Sequence, residues 1–243
     1  MKILILGGTE EARALADALV ALGHDVTTSY AGKTTDPMRP AGEIRAGGFG
    51  GGQGLAEYLL ANGFRRLVDA THPYSVKMAT HALEASRLSG VKLVRLTRPV
   101  WIEPQYAFWH HMPDAEAAAE ALPAGARVLL TAGHRSLDVF LRRTDCSFVV
   151  RSIEPPEKPL PVTARSLIAR PPFFVGAETE LMRHEGISHL VTKNSGGVQT
   201  EAKLKAAQQL RVAVLMIARP QLPPAHEVPT VGRAIAALHL ERE

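Results

Sequence analysis

The first nine residues constrain this chain more than any other stretch. Ile3-Leu4-Ile5-Leu6 is an apolar run with no polar alternation, closed at once by Gly7-Gly8. Such a run suits a strand buried on both faces, as in the centre of a parallel sheet. Thr9 then precedes Leu15, Leu19 and Leu22 at helical spacing, and Gly23 stops the helix. The pattern continues with strands at Asp25 to Tyr30 and around Ile44, the glycine-rich loop Gly47 to Gly54, and a helix to Asn62-Gly63. Arg66 to Ala70 reads as a strand, Tyr74 to Ser89 as a helix ended by Gly90, and Val91 to Leu96 as a strand. Strand–helix alternation of this kind implies a parallel sheet with right-handed crossovers.

Residues 97–125 break the rhythm. Pro99, Pro104 and Pro113, with Trp101 and Trp109, predict a linker and an irregular or edge strand. Alternation resumes with strands at Arg127 to Thr131, Ser147 to Ser152, His189 to Thr192 and Arg211 to Ile217. Helices are expected from Ser136 to Arg143, Glu178 to Glu185, Gln199 to Gln209 and Val231 to Leu240, while 163–169 reads equally as helix or strand. The fold class is therefore α/β, with two parallel-sheet halves of similar size and a cleft between them as the default ligand site.

Composition narrows the function classes. At 243 residues, 46% hydrophobic and 21% charged, the chain has enough apolar content for a packed core. Aromatics at 5% argue against a stacking platform for single-stranded nucleic acid, and the net charge of +4 suits a small polyanionic ligand. The single cysteine, Cys146, excludes an internal disulfide and reads as a buried strand residue. His110-His111 lacks ligand spacing to other histidines, so no metal is expected. No apolar run is long enough to span a membrane and the N-terminus does not resemble a signal peptide, so the expectation is a cytoplasmic protein.

Four strand-end segments carry candidate chemistry. The turn Gly7-Gly8-Thr9-Glu10 ends a strand and opens a helix, where free N–H groups and the helix dipole favour a phosphate. It is not a G-x-G-x-x-G fingerprint. About 20 residues on, where an NAD site carries a carboxylate, the chain has Ser29-Tyr30-Ala31-Gly32-Lys33. Ser29, Ala31, Gly32 and Lys33 would admit a 2′-phosphate, which favours NADPH, and Arg39 is a second cation candidate. Thr71-His72-Pro73-Tyr74 follows a third strand, and His72 and Tyr74 are candidate proton donors or cofactor contacts. Lys193-Asn194-Ser195-Gly196-Gly197, with the parallel turn Thr131-Ala132-Gly133, offers an ammonium, an amide, hydroxyls and glycines for anion binding.

Taken together, these segments resemble the precorrin-6A reductase family, including its cobalt-precorrin-6A branch. The resemblance rests on Gly7-Gly8-Thr9-x-Glu11-Ala12-Arg13, Asp69-Ala70-Thr71-His72-Pro73-Tyr74, Arg98-Pro99-x-Trp101, Thr131-x-Gly133, Thr192 to Gly197 with Lys203, and Arg219-Pro220. Segments 151–155 and 170–173 follow the family pattern loosely. The resemblance implies two Rossmann-like domains, placed here at 1–98, binding NADPH, and 99–243, contributing to the tetrapyrrole site. It implies NADPH-dependent reduction of one macrocycle double bond, precorrin-6A to precorrin-6B, in cobalamin biosynthesis. Tyr74, Arg98, Thr131, Gly133 and Lys193 to Gly197 are then substrate-binding candidates, with His72, Tyr74 and Lys193 as proton-donor candidates. A polycarboxylate tetrapyrrole is the expected partner, with transient contact to neighbouring pathway enzymes and no nucleic acid or membrane. The alternatives are a reductase of another anionic metabolite and a non-catalytic nucleotide-binding module.

Overall fold

A computed structural model describes residues 1–30 and 39–239. The chain forms two compact units, Met1–Pro99 with Pro220–Glu243, and Val100–Arg219. The expected division at residue 98 therefore needs a second boundary, because the chain returns to the first unit at Pro220.

The first unit contains β1 (Lys2–Leu6), α1 (Glu10–Ala21), β2 (Asp25–Tyr30), β3 (Glu43–Ala46), α2 (Gly52–Ala61), β4 (Arg66–Asp69), α3 (Val76–Ser89) and β5 (Lys92–Leu96). The second contains β6 (Trp109–Met112), α4 (Ala115–Glu120), β7 (Arg127–Thr131), a 3-10 turn (His134–Ser136), α5 (Leu137–Leu141), β8 (Ser147–Ser152), β9 (Ala164–Ile168), α6 (Val175–His184), β10 (His189–Lys193), α7 (Ala202–Leu210) and β11 (Ala213–Ile217). The chain ends in β12 (His226–Val228) and α8 (Val231–His239), which complete the first unit.

Both sheets are six-stranded and every strand pair is parallel. Their orders are β12-β5-β4-β1-β2-β3 and β6-β11-β10-β7-β8-β9. The orders match strand for strand except in when the sixth strand is made. In the second unit it comes first, as β6 followed by α4; in the first unit it comes last, as β12 followed by α8.

The central strand β1 explains the core. Side chains alternate across a strand, so Ile3 and Ile5 face one way and Leu4 and Leu6 the other. Ile3 and Ile5 pack with Leu15 and Leu19 of α1 and Ala234 and Leu238 of α8. Leu4 and Leu6 pack with Leu55 and Leu59 of α2 and Ala82 and Ala85 of α3. In the second unit Leu129, Val149, Leu190 and Val214 pack with Met182 and Leu204.

Several local expectations change. Segment 163–169 is an edge strand paired with β8. Residues 109–112 form the other edge strand of that sheet, and α4 and β12 lie in segments that sequence patterning left as loop. Helix α3 starts at Val76, two residues later than expected, because Ser75 N–H donates to the His72 carbonyl (2.7 Å) and closes a turn first. Cys146 is buried, but in the bend before β8, where its Sγ meets the Pro123 carbonyl at 3.5 Å and burial pushes the thiol pKa up.

Candidate coenzyme and substrate sites

The parallel register of the first sheet lines up one row of residues at the carboxyl ends of its strands. Arg45, Ser29, Leu6, Asp69, Arg95 and Glu227 are successive neighbours across β3, β2, β1, β4, β5 and β12. In a parallel sheet, residues in register project to the same face. Ligand loops of open α/β sheets leave from this end.

The first turn is built by three local choices. Gly7 donates its N–H to the Ser29 carbonyl (2.9 Å), and a Cβ on Gly7 would stand 2.8 Å from Thr28 Cγ2. Gly8 has φ of +115°, a conformation open mainly to glycine. Thr9 caps α1: its hydroxyl accepts from Ala12 N–H (3.1 Å) and donates to the Ala70 carbonyl (2.8 Å). That second bond ties the first turn to the end of β4. Glu10 opens the helix, and Glu11 accepts from Arg98 Nη1 at 2.8 Å.

The Thr71–Tyr74 segment is held from Asp69. One oxygen of Asp69 accepts from Thr71 N–H (3.2 Å) and Thr71 hydroxyl (2.7 Å); the other accepts from Arg95 Nε (3.2 Å). Asp69 and Arg95 are both buried, and Arg95 Nη1 also donates to the Pro223 carbonyl (2.7 Å). Pro73 is buried; His72 and Tyr74 are half-buried, with ring centroids 5.6 Å apart. His72 Nδ1 accepts from Tyr74 N–H (3.3 Å), which places the proton of the neutral ring on Nε2.

The structure thus brings Gly7, Gly8, Thr9, Ser29, Thr71, His72 and Pro73 to one end of one sheet. Arg98 belongs to this unit, through Glu11. Ala31, Gly32 and Lys33 lie outside the described residues, and Arg39 is exposed.

In the second unit, Thr131 ends β7 and Lys193 ends β10. The Thr131 hydroxyl donates to the Val191 carbonyl (3.0 Å). Gly133 has φ of +80°, and a Cβ there would be 3.8 Å from Lys193 Nζ. The two turns therefore meet. Lys193 is half-buried; burial first, and then the nearby Arg135 charge, pull its pKa below the ordinary 10.5.

Asn194, Ser195 and Gly197 are held by a scaffold that the local motif does not reveal. The Asn194 amide brackets the Trp101 backbone, accepting from its N–H (2.8 Å) and donating to its carbonyl (3.1 Å). Trp101 Nε1 donates to the Gly197 carbonyl (3.0 Å), and Arg219 donates to the Asn194 and Ser195 carbonyls (2.8 and 2.9 Å). Buried Lys203 places its ammonium 5.0 Å from the Trp101 ring centre. Gly196 and Gly197, at φ of +69° and +85°, make the turn that these bonds require. Local spacing could not foretell these contacts, since Trp101 and Asn194 are 93 residues apart.

Among the described residues, no cluster of three or more histidine, cysteine or carboxylate side chains is placed to hold a metal ion, and no helix is long and apolar enough to cross a membrane.

Comparison with known proteins is consistent along the chain. The family model described as precorrin-6x reductase CbiJ/CobK matches residues 2–239. A precorrin-6A reductase of Rhodococcus erythropolis is 48% identical over 97% of this chain and 96% of its own length. One of Rhodobacter capsulatus is 43% identical over 91% of this chain and 89% of its own. A solved structure of CobK precorrin-6A reductase superposes with a TM-score of 0.93 at 41% identity, covering 98% of this chain and 95% of that one. With matches of this extent and identity, the chain belongs to the precorrin-6x reductase CbiJ/CobK family.

Proposed function

We propose that this protein reduces precorrin-6A to its dihydro product in cobalamin biosynthesis, with NADPH as the reductant. The observation that carries the reading is the near full-length match to precorrin-6A reductases at 43 to 48% identity. The first unit supports the coenzyme. Its glycine turn leaves open space where a Cβ of Gly8 would sit, beside the N-terminus of α1. No carboxylate stands at Thr27 to Tyr30, the end of β2, where an NAD ribose would be read. Gly7, Gly8, Thr9 and Ser29 would hold the dinucleotide, with Thr71 to Pro73 beside them. When bound, NADPH supplies a hydride.

The second unit supports the substrate. Lys193 and the Thr131–Gly133 turn form a cationic, glycine-lined corner suited to a macrocycle carboxylate. The desolvated ammonium is a stronger partner for an anion than one in bulk water. Asn194 serves chiefly to fix Trp101 and the glycine turn, so Lys193 is aimed by a rigid base. The reaction adds hydride to one carbon of a C=C bond and a proton to its neighbour, with NADPH leaving as NADP⁺. His72, Tyr74 and Lys193 are the candidate proton donors, and the Tyr74 N–H to His72 Nδ1 bond leaves Nε2 as the His72 nitrogen that carries the neutral ring's proton.

Anaerobic assay of the purified protein with precorrin-6A and NADPH tests the reading. Loss of NADPH absorbance matched one-to-one by a product two mass units heavier is expected. Absence of turnover with both metal-free and cobalt-loaded substrate would refute it.

A further inference from the structure

The row of residues across the first sheet ends in a cation that none of the turn motifs includes. Arg45 is the penultimate residue of β3, in register with Ser29 at the end of β2. Its Nη1 lies 3.4 Å from Ser29 Oγ and 2.6 Å from the Gly47 carbonyl, and its Nη2 lies 2.8 Å from the Gly48 carbonyl. The guanidinium also stacks on Phe49, 3.8 Å from the ring centre, with Tyr58 at 5.0 Å. The group is thus fixed by a hydroxyl, two carbonyls and an aromatic face.

Among the described residues it has no counter-charge. Arg95, Arg98, Arg143, Arg151 and Arg165 each meet a carboxylate. Among the described residues Arg45 meets none; Glu43, two positions back on the same face, accepts from Thr27 instead (3.2 Å). A guanidinium has five N–H donors, and the bonds above leave Nε–H and one Nη2 hydrogen of Arg45 without a described partner. An immobilised fork with no described carboxylate partner, beside the end of β2, sits where a doubly wound fold places the substituent on the adenosine ribose.

We propose that Arg45, supported by Ser29 and the Phe49 ring, recognises the 2′-phosphate of the dinucleotide and so sets the preference for NADPH over NADH. The proposal rests on the coenzyme reading above and adds the residue that discriminates. Two N–H donors directed at one phosphate match guanidinium geometry, and the contact with the Phe49 ring restricts the side chain before binding.

Titration calorimetry with NADPH and NADH tests it on wild type, Arg45→Gln and Arg45→Lys. Gln keeps a donor for the loop carbonyls without charge; Lys keeps the charge. The expected result is a Kd for NADPH raised about ten- to a hundredfold by Gln and by a smaller, intermediate factor by Lys, which keeps the charge but loses the fork and the stack, with NADH within about twofold throughout. Equal losses for both coenzymes would assign Arg45 a structural role and overturn the proposal, as would an unchanged NADPH Kd. A wild-type measurement needs no variant to fold: the Arg45 Nε–H resonance should shift with adenosine 2′,5′-bisphosphate and not with 5′-AMP. A shift with both, or with neither, would also overturn it. Wild type binding neither coenzyme would instead refute the coenzyme reading itself.

Discussion

Lys193 and Gly7 illustrate opposite ways in which single residues serve a site. Lys193 is half-buried beside Arg135, and burial first, then that charge, set its folded pKa below the unfolded 10.5. In the window between those values the unfolded chain binds more protons, so the destabilisation from this group fades as pH rises through it. Substrate affinity should move the other way, weakening as Lys193 loses its proton, at a pH below that of an ordinary lysine. Lys193→Met should therefore raise the thermal midpoint at pH 7 yet raise substrate KM about ten- to a hundredfold; melting curves and steady-state kinetics read the two effects separately. Gly7 is needed for space. Gly7→Ala would push a methyl to 2.8 Å from Thr28 Cγ2 and should destabilise by roughly 1–3 kcal/mol in urea unfolding. Thr28→Ser removes that methyl, so the double variant should recover most of the loss, whereas simple additivity would show that the clash lies elsewhere.

Between elements, one joint in the second unit is a buried ion pair. Arg151 at the end of β8 pairs with Glu178 on α6, both buried, and the guanidinium lies 4.0 Å from the Phe173 ring centre. The remaining oxygen of Glu178 has no hydrogen-bond partner among the described residues. Arg151→Met should strand that carboxylate and cost about 3–5 kcal/mol, while adding Glu178→Leu should return stability to near wild type. Denaturant midpoints of the two variants decide it; a double variant as weak as the single one would contradict this account. Elements of this kind were unevenly legible in sequence. Apolar runs such as Ile3 to Leu6 and Leu190-Val191 announce buried parallel strands because both faces must be covered. β9 and β12 stay hidden because they are sheet edges, short and partly exposed, with no such pattern to show. The glycine turns were visible as turns. The scaffold behind them was not, since Asn194 meets Trp101, and Arg45 meets Ser29, only through tertiary packing and register.

At the scale of the molecule, the second unit is continuous and the first is split around it. Residues 100–219 carry all six strands of their own sheet, so this fragment should show a cooperative urea transition on its own. Residues 1–99 lack β12 and α8, which cover Val94 and Leu96 and complete one face of the core. That fragment should bind hydrophobic dye and unfold without a sharp transition. Joining 220–243 ahead of residue 1 should restore cooperativity; failure to do so would locate the first unit's missing stability elsewhere.

This threading also reverses the order in which the halves mature on the ribosome. The amino-terminal half emerges first, but its sheet stays open at β5 until the closing strand is made, about 130 residues later. At typical bacterial elongation rates that is a delay on the order of ten seconds. Throughout it, a nascent chain offers an unpaired strand edge to any neighbour. Crowded polysomes and chaperone-poor hosts are therefore the setting in which heterologous production of this protein should fail first, with aggregates seeded by its opening ninety-odd residues.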